Sequence, residues 1–145
     1  TPVPLRDYLL YRIGLSTLIA VPMIAGLVAI IGQSVPAWWQ LVPLVVGAAL
    51  LAPITTLFFA TFADNKVQGF AMSKFAGVAG WTIPLGWFLD APYGWLVGIF
   101  PPYWISEAYW RALDGQGIWW VALAAGIVLQ IALIAWLMRR FERVT

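Results

Sequence analysis

Four apolar stretches divide the chain, and the short segments between them carry nearly all of its charge. Three of the stretches run for twenty residues or more without a charged residue, and the fourth is fifteen residues long. A helix of about 20 apolar residues, rising about 1.5 Å per residue, matches a hydrocarbon core about 30 Å thick. The pattern therefore predicts an all-α polytopic membrane protein. We expect its four spans at 13–35, 41–63, 75–89 and 117–138.

The distribution of basic residues predicts how these spans are oriented. If all four stretches cross, seven of the eight lysines and arginines share one side of the membrane and one lies opposite. The seven are Arg6, Arg12, Lys66, Lys74, Arg139, Arg140 and Arg143, and the exception is Arg111. Basic residues in short loops are retained in the cytoplasm. Both ends of this chain are therefore expected to be cytoplasmic.

Composition agrees with a membrane protein and narrows the chemistry. Hydrophobic residues make up 63% of the chain and charged residues 10%, whereas a soluble domain is about half apolar and a quarter charged. The net charge of +2 comes from residues at span ends, which gives no case for nucleic-acid binding. The chain has neither cysteine nor histidine and opens on Thr1. We therefore expect one transmembrane domain over 1–145, as a piece of a longer protein.

Two polar segments lie on the expected cytoplasmic side. In 1–12, Pro4 can open a helical turn that leads into the first span. The alternative is that this turn is an ordinary interfacial helix start without a functional role. In 64–74, Asp64 or Asn65 could cap a short helix. The alternative is a solvated loop whose lysines only enforce topology. Pro53, in the middle of the second span, removes a helix hydrogen bond and predicts a kink.

The region after the second span is the least regular part of the pattern. The stretch 75–89 gives about 22 Å of helix, which is short of the hydrocarbon core. The run 91–106 is charge-free but broken by prolines and glycines. This run predicts either a re-entrant or surface-lying hairpin after a short span, or part of two poorly formed spans. The second interpretation would place the arginines of the C-terminal tail outside, so the charge rule favours the first.

Residues 103–114 have the spacing of an amphipathic helix that lies in the outer interface. Glu107, Arg111 and Asp114 follow each other at i, i+4 and i+7 and form one polar stripe. Glu107 before Arg111 is a favourable acid-before-base pair. Eight of the ten tryptophans also fall near the outer interface, as an anchoring aromatic belt would. Trp81 and Trp87 are alternatively candidates for lining a substrate path.

The sequence offers little catalytic chemistry. Without histidine or cysteine, a metal site would rest on six carboxylates, and none of these pair at a useful spacing within a span. No Walker-type glycine loop is present, so this chain is not expected to hydrolyse ATP. No acid or lysine is expected near the centre of a span, where proton-coupled carriers hold one. We therefore predict no enzyme activity and no cofactor in this chain, and expect a partner to supply energy for any transport.

Three segments resemble bacterial ABC-2-type permeases. The run LAPITTLFFATFADNKVQGFAMSK, over 51–74, is similar to the inner end of a span and its following loop in that family. PLRDYLLYR resembles the end of the cytoplasmic loop before the family's third span. PPYWISEAYWRAL with a last span and an arginine-rich tail is similar to the outer hairpin before the sixth. The resemblance implies that this chain holds spans three to six of six.

The resemblance also implies a function, partners and site residues. It implies a permease in a bacterial plasma membrane that dimerises, contacts membrane lipids and pairs with an ATP-binding cassette ATPase, which binds ATP and Mg²⁺. Drug-export relatives imply a hydrophobic drug or lipid as cargo, moved by alternating access. Residues implied to couple to the ATPase are Arg6, Tyr8, Arg12, Asp64, Asn65, Lys66, Gln68, Gly69 and Lys74. An outer lid would hold Glu107, Arg111 and Asp114, and the path would be lined by Pro53, Trp81 and Trp87.

Two other functions fit parts of the pattern. A non-transporting scaffold would use the same spans only to assemble or anchor a complex. Its small-residue pairs, such as Ala122 and Gly126, would suit helix packing in either case. A membrane enzyme acting on lipids could use Asp90, Glu107 and Asp114, although these acids have no partner base or metal ligand.

Overall fold

The computed structural model describes residues 4–32, 34–90 and 92–144, and within these ranges all regular structure is helical. Gln33 and Ala91, which fall in the first predicted span and at the start of the predicted outer hairpin, lie outside the described residues. The helices are α1 (Leu5–Ile31), α2 (Trp38–Ala49), α3 (Leu51–Phe62), α4 (Lys66–Gly80), α5 (Thr82–Phe88), α6 (Tyr93–Val97), α7 (Pro101–Leu113) and α8 (Trp119–Val144).

Three helical segments are long and apolar enough to cross a membrane: Leu5–Ile30, Trp38–Phe62 and Trp119–Arg143. They correspond to the first, second and fourth spans of the sequence pattern. The all-helical fold class and these three candidate spans are thereby confirmed. The first begins eight residues before its predicted start, because no glycine or proline between Leu5 and Arg12 interrupts a helix that Pro4 precedes.

The second candidate span is interrupted at Leu50, where α2 passes into α3 through a single turn. Pro53 follows three residues later and cannot donate a backbone hydrogen bond to the preceding turn. The interruption therefore falls where the proline predicts it. Pro53 itself is among the most deeply buried side chains of the described chain.

Two hydrophobic cores lie at opposite ends of the bundle. One packs Leu9 of α1, Leu57 of α3 and Leu137 of α8 together, and we call it the basic end because the arginines of α1 and α8 flank it. Arg140 stacks over Phe62 there, with its guanidinium 5.1 Å from the ring centroid. The start of α1, the end of α3 and the end of α8 therefore meet at one end.

The other core joins α2, α7 and the start of α8 around Leu44, Ala108 and Trp119, and we call it the tryptophan end. The indole rings of Trp39 and Trp119 meet edge to face there at 5.9 Å. Gly126 allows α7 close to α8, since a Cβ at this position would lie 2.9 Å from Cβ of Trp104. Helix α7 therefore packs closely against the first half of α8.

The segment between α3 and α8 leads from the basic end to the tryptophan end. Helices α4 and α5 cover 66–88 with only a turn at Trp81 between them. Neither is long enough to be a span by itself, so a fourth span over 75–89 is not confirmed. The helix instead begins at Lys66, where Asn65 caps it, and includes most of the segment that the sequence presents as a polar loop.

The predicted outer hairpin is not confirmed either. Within 92–106, the structure has the five-residue helix α6, a turn, and the first residues of α7. The turn is held by Trp104, whose indole N–H donates to the carbonyl oxygen of Gly98 at 2.6 Å. The amphipathic helix predicted over 103–114 is present as α7, which starts two residues earlier because Pro101 and Pro102 occupy its first turn.

Candidate functional site

Helix α7 places the predicted polar stripe at the tryptophan end. The Nε atom of Arg111 lies 2.8 Å from Oε1 of Glu107, and the two side chains are 33% and 26% exposed. The acid-before-base pair predicted from the sequence is therefore formed. An ion pair with this much exposure contributes about 1 kcal/mol or less to stability. Its main effect is to fix the direction of both side chains.

A cavity of about 230 Å³ opens between α5 and α7 beside this ion pair. It is lined by Ile83, Gly86, Trp87, Tyr103, Ser106, Glu107, Trp110, Arg111, Asp114 and Gln116. The structure thus brings together all three residues of the predicted outer lid. Trp87, predicted to line a path, joins them, whereas Trp81 is not among the lining residues and is 68% exposed.

Part of the cavity lining is aromatic. The rings of Trp87 and Trp110 meet edge to face, with centroids 4.7 Å apart. Gly86 makes the close approach of α5 to α7 possible, because a Cβ there would lie 2.7 Å from the ring of Tyr103. Burial raises the pKa of Tyr103, the Glu107 carboxylate raises it further, and Arg111 opposes them. The Tyr103 hydroxyl is therefore neutral at ordinary pH.

A second, narrower cleft of about 30 Å³ lies at the basic end. Its lining includes Tyr8, Arg12 and Pro53, together with apolar residues of α1, α3 and α8. The guanidinium of Arg12 donates to the Tyr8 hydroxyl at 3.1 Å. Two residues predicted to contact an ATPase thus lie beside one predicted to line the path. Arg6, in the same turn region of α1, is exposed and does not line the cleft.

The predicted cap at the second polar segment is present. The backbone N–H of Gln68 donates to Oδ1 of Asn65 at 2.8 Å. The backbone N–H of Asp64 in turn donates to Oε1 of Gln68 at 3.0 Å. This reciprocal pair satisfies two backbone donors at the start of α4. Asp64 to Gln68 therefore form an ordered corner next to the end of α3.

The other predicted site residues of this segment make few contacts with the rest of the chain. Lys66 and Lys74 are exposed, and the ammonium of Lys74 lies 5.8 Å from the centroid of the Phe70 ring. Gly69 lies within the first turns of α4, and its N–H donates to the carbonyl oxygen of Asn65. A Cβ there would make only ordinary contact with Ala63. Gly69 is therefore an ordinary helical position.

Sequence reasoning missed Gln130. This residue lies near the middle of α8 and is fully buried. Neither its Oε1 nor its Nε2 has a hydrogen-bond partner among the described residues. The available signal was a single amide within a long apolar run, and polar residues inside spans are typically functional.

The three acids considered for lipid chemistry do not all line one cavity. Glu107 and Asp114 line the same cavity, but Asp90 is not among its lining residues. Within 4–32, 34–90 and 92–144, no group of three or more metal-ligating side chains is placed to hold a metal ion. The geometry thus offers a binding cavity with charged and aromatic walls.

Comparison with known proteins gives a family. The family model described as fluoroquinolones export permease protein Rv2686c-like matches residues 1–138. Two curated relatives from Mycobacterium tuberculosis are each 34% identical over 144 residues, which is 98% of this chain. They are the fluoroquinolones export permease proteins MT2760, of strain CDC 1551 / Oshkosh, and Rv2686c, of strain ATCC 25618 / H37Rv.

The chain spans 57% of the length of these relatives. No solved structure matches it significantly. The family model covers the whole of the candidate site at the tryptophan end and the polar corner at the start of α4. On this match, together with three helices able to cross a membrane, the chain belongs to the Rv2686c-like family of fluoroquinolone export permeases.

Proposed function

We propose that this chain forms part of the membrane permease of an ABC-2-type drug exporter, driven by a separate ATP-binding cassette ATPase. The observation that carries the proposal is the family match over residues 1–138, combined with the apolar helices. The cargo would be a fluoroquinolone-like or other hydrophobic drug. The chain itself would hold no cofactor and perform no catalysis, with ATP and Mg²⁺ on the partner.

The proposal assigns four membrane crossings to the chain. The end of α3 and the end of α8 lie together at the basic end, whereas α8 begins at the tryptophan end. The segment 66–88, which holds α4, the turn at Trp81 and α5, would span about 34 Å at helical rise, enough to return across the bilayer. With the basic end in the cytoplasm, both chain ends lie inside a bacterial plasma membrane.

The proposed contact with the ATPase is at the basic end. Arg6, Lys66 and Gln68 are exposed there, on elements that continue into the spans. The cap between Asn65 and Gln68 makes this surface rigid. A displacement of the start of α4 by the ATPase would therefore be transmitted along α4 to α5 and the cavity, as alternating access requires.

A second permease copy and membrane lipids would cover the outward faces of the spans. In the most apolar part of α1, no residue is buried within the chain, and α4 has no buried residue. Such faces are stable in contact with lipid or with another helix. We propose that two copies enclose the path with these helices.

A crosslinking experiment tests the ATPase partner. A photoreactive residue replaces Val67, which is 80% exposed beside the cap without taking part in it, and the protein is irradiated in native membranes with and without ATP. Capture of an ATP-binding cassette protein with a nucleotide-sensitive yield is expected. The matched control replaces Trp95, which is 72% exposed on α6, and should not capture the ATPase.

Two outcomes would oppose the proposal. Equal capture of the ATPase from positions 67 and 95 would indicate non-specific proximity in the membrane. Capture of only lipid or of an unrelated membrane protein from position 67, with the protein folded and ATPase present, would favour a non-transporting scaffold.

A further inference from the structure

We propose that the cavity between α5 and α7 binds the aromatic ring and protonated amine of a cargo molecule at the outer face, with Asp114 as the ammonium partner. This inference rests on the proposed export function and assigns a site to its cargo. Three properties of the cavity carry it: an unpaired carboxylate, an excess of negative charge and an aromatic wall.

The unpaired carboxylate belongs to Asp114. Arg111, the only basic residue lining the cavity, already contacts Glu107 at 2.8 Å. The Asp114 carboxylate has no hydrogen bond or ion pair within the described parts of the chain, although its backbone N–H donates to the Trp110 carbonyl oxygen. One acid of the cavity is thus paired within the chain, and the other, on an exposed residue, is accessible to solvent and to a ligand.

The charge of the lining favours a cation. Two carboxylates, of Glu107 and Asp114, face one guanidinium, of Arg111. A ligand ammonium balances the lining, whereas a purely anionic ligand would add a second uncompensated negative charge. Arg111 uses only its Nε toward Glu107, and a guanidinium has further N–H donors. These can donate hydrogen bonds to a carboxylate on a ligand that also carries the amine.

The aromatic wall supplies the remaining contacts. Trp87 and Trp110 meet at 4.7 Å, and both keep exposed ring surface, at 63% and 39%. Indole faces stack with flat ring systems and attract cations. The volume of about 230 Å³ is slightly below the usual range of about 300–1,000 Å³ for small-molecule sites. The cavity therefore fits one ring system and its amine, and leaves the rest of the molecule outside.

An amine can also come from a lipid headgroup, so the test separates the two sources. Binding is measured with the complete exporter in nanodiscs of phosphatidylglycerol, which has no amine. The probes are ciprofloxacin, a ring system with a basic amine, and nalidixic acid, a related ring acid without a strongly basic amine. A second series adds phosphatidylethanolamine, and displacement of ciprofloxacin by this lipid would assign the site to headgroups and overturn the proposal.

Two variants with the same charge change are compared. Asp114→Asn should weaken ciprofloxacin binding about tenfold, the effect of one charged hydrogen bond. Binding of the anionic nalidixic acid should not weaken, because the substitution removes a negative charge from the lining. Asp90→Asn removes a carboxylate that does not line the cavity and should alter neither. Because the Asp114 side chain makes no contact that folding needs, the melting temperature of Asp114→Asn should equal that of the wild type.

The remaining outcomes are distinct. If wild-type protein binds ciprofloxacin but Asp114→Asn binds it equally well, the proposed site is wrong and the export function stands. If Asp114→Asn weakens both probes equally, Asp114 does not recognise the amine. If wild-type protein neither binds ciprofloxacin nor lowers its accumulation in cells, the proposed export of such drugs fails with the site.

Discussion

The buried amide of Gln130 is unusual among the residues of this chain. An amide without a hydrogen-bond partner costs about 1–3 kcal/mol relative to a paired one, and a lipid environment supplies no water to replace the partner. Gln130 is fully buried, and neither of its polar atoms has a partner within the part of the chain that the structure describes. Along α8, Gln130 lies between Leu123, which is close to Gly47 of α2, and Leu137, which packs in one core with Leu57 of α3.

At this residue we predict that Gln130→Met stabilises the protein. Methionine is close to glutamine in volume and removes the unpaired amide, so the midpoint of thermal unfolding in detergent should rise by a few degrees. Leu137→Ala, at a buried apolar position of the same helix, should lower it through a cavity costing about 2–5 kcal/mol. A lower midpoint for Gln130→Met would show that the amide is paired in the membrane protein.

At the scale of elements, the candidate site depends on how closely α5 approaches α7. The two helices share the cavity and meet at Gly86 and Tyr103. Helix α5 has only seven residues and one buried residue, Thr82, so few other contacts hold it. The approach at Gly86 therefore sets the width of the cavity.

We predict that Gly86→Ala moves α5 away from α7 and weakens cargo binding. The added methyl group would lie 2.7 Å from the Tyr103 ring, which is buried and has little room to shift. Ciprofloxacin binding by the exporter in nanodiscs should fall several-fold, and the melting temperature should also fall. Gly77→Ala is the matched control, because a Cβ there meets nothing within 4 Å and alanine favours a helix.

An unchanged affinity of Gly86→Ala, with Gly77→Ala also unchanged, would contradict a cavity that depends on this approach. A fall in affinity for both variants would indicate a general effect of added methyl groups on these helices. Only the difference between the two variants measures the contribution of the α5–α7 contact.

At the scale of the whole molecule, the number of crossings decides the topology. Three candidate spans alone would place the start of α4 and the end of α8 on opposite sides of the membrane. The structure instead puts the end of α3 and the end of α8 in one core. The proposed fourth crossing, through α4 and α5, reconciles the spans with this core.

Cysteine labelling tests the topology, and the chain is suited to it because it has no cysteine of its own. Single variants Val67→Cys and Glu142→Cys place a thiol at the start of α4 and at the end of α8, both at the basic end. Each should resist an impermeant thiol reagent until the cells are permeabilised. Trp95→Cys should react in intact cells. Labelling of only one of positions 67 and 142 in intact cells would indicate three crossings.

Much of this architecture could be predicted from the amino-acid sequence. The long apolar runs predicted three candidate spans because the length of an apolar helix is a local property. Local spacing likewise predicted the Glu107–Arg111 pair and the cap at Asn65, since both involve residues within four positions. One helix that runs from Lys66 through the polar segment into the fourth apolar stretch and ends at Gly80 was not predicted, because propensity there does not mark where a helix stops.

The sequence by itself determined the all-helical class, the three apolar segments and the asymmetry of charge, because each follows from local composition and period. Only the tertiary structure decided that Trp87 lines one cavity with Glu107, Arg111 and Asp114, while Trp81 is not among its lining residues. Tertiary packing also joined Arg12 to Pro53 at the basic end and buried Gln130 without a partner. These relations join residues up to about forty positions apart, so they depend on how helices pack, which no local pattern encodes.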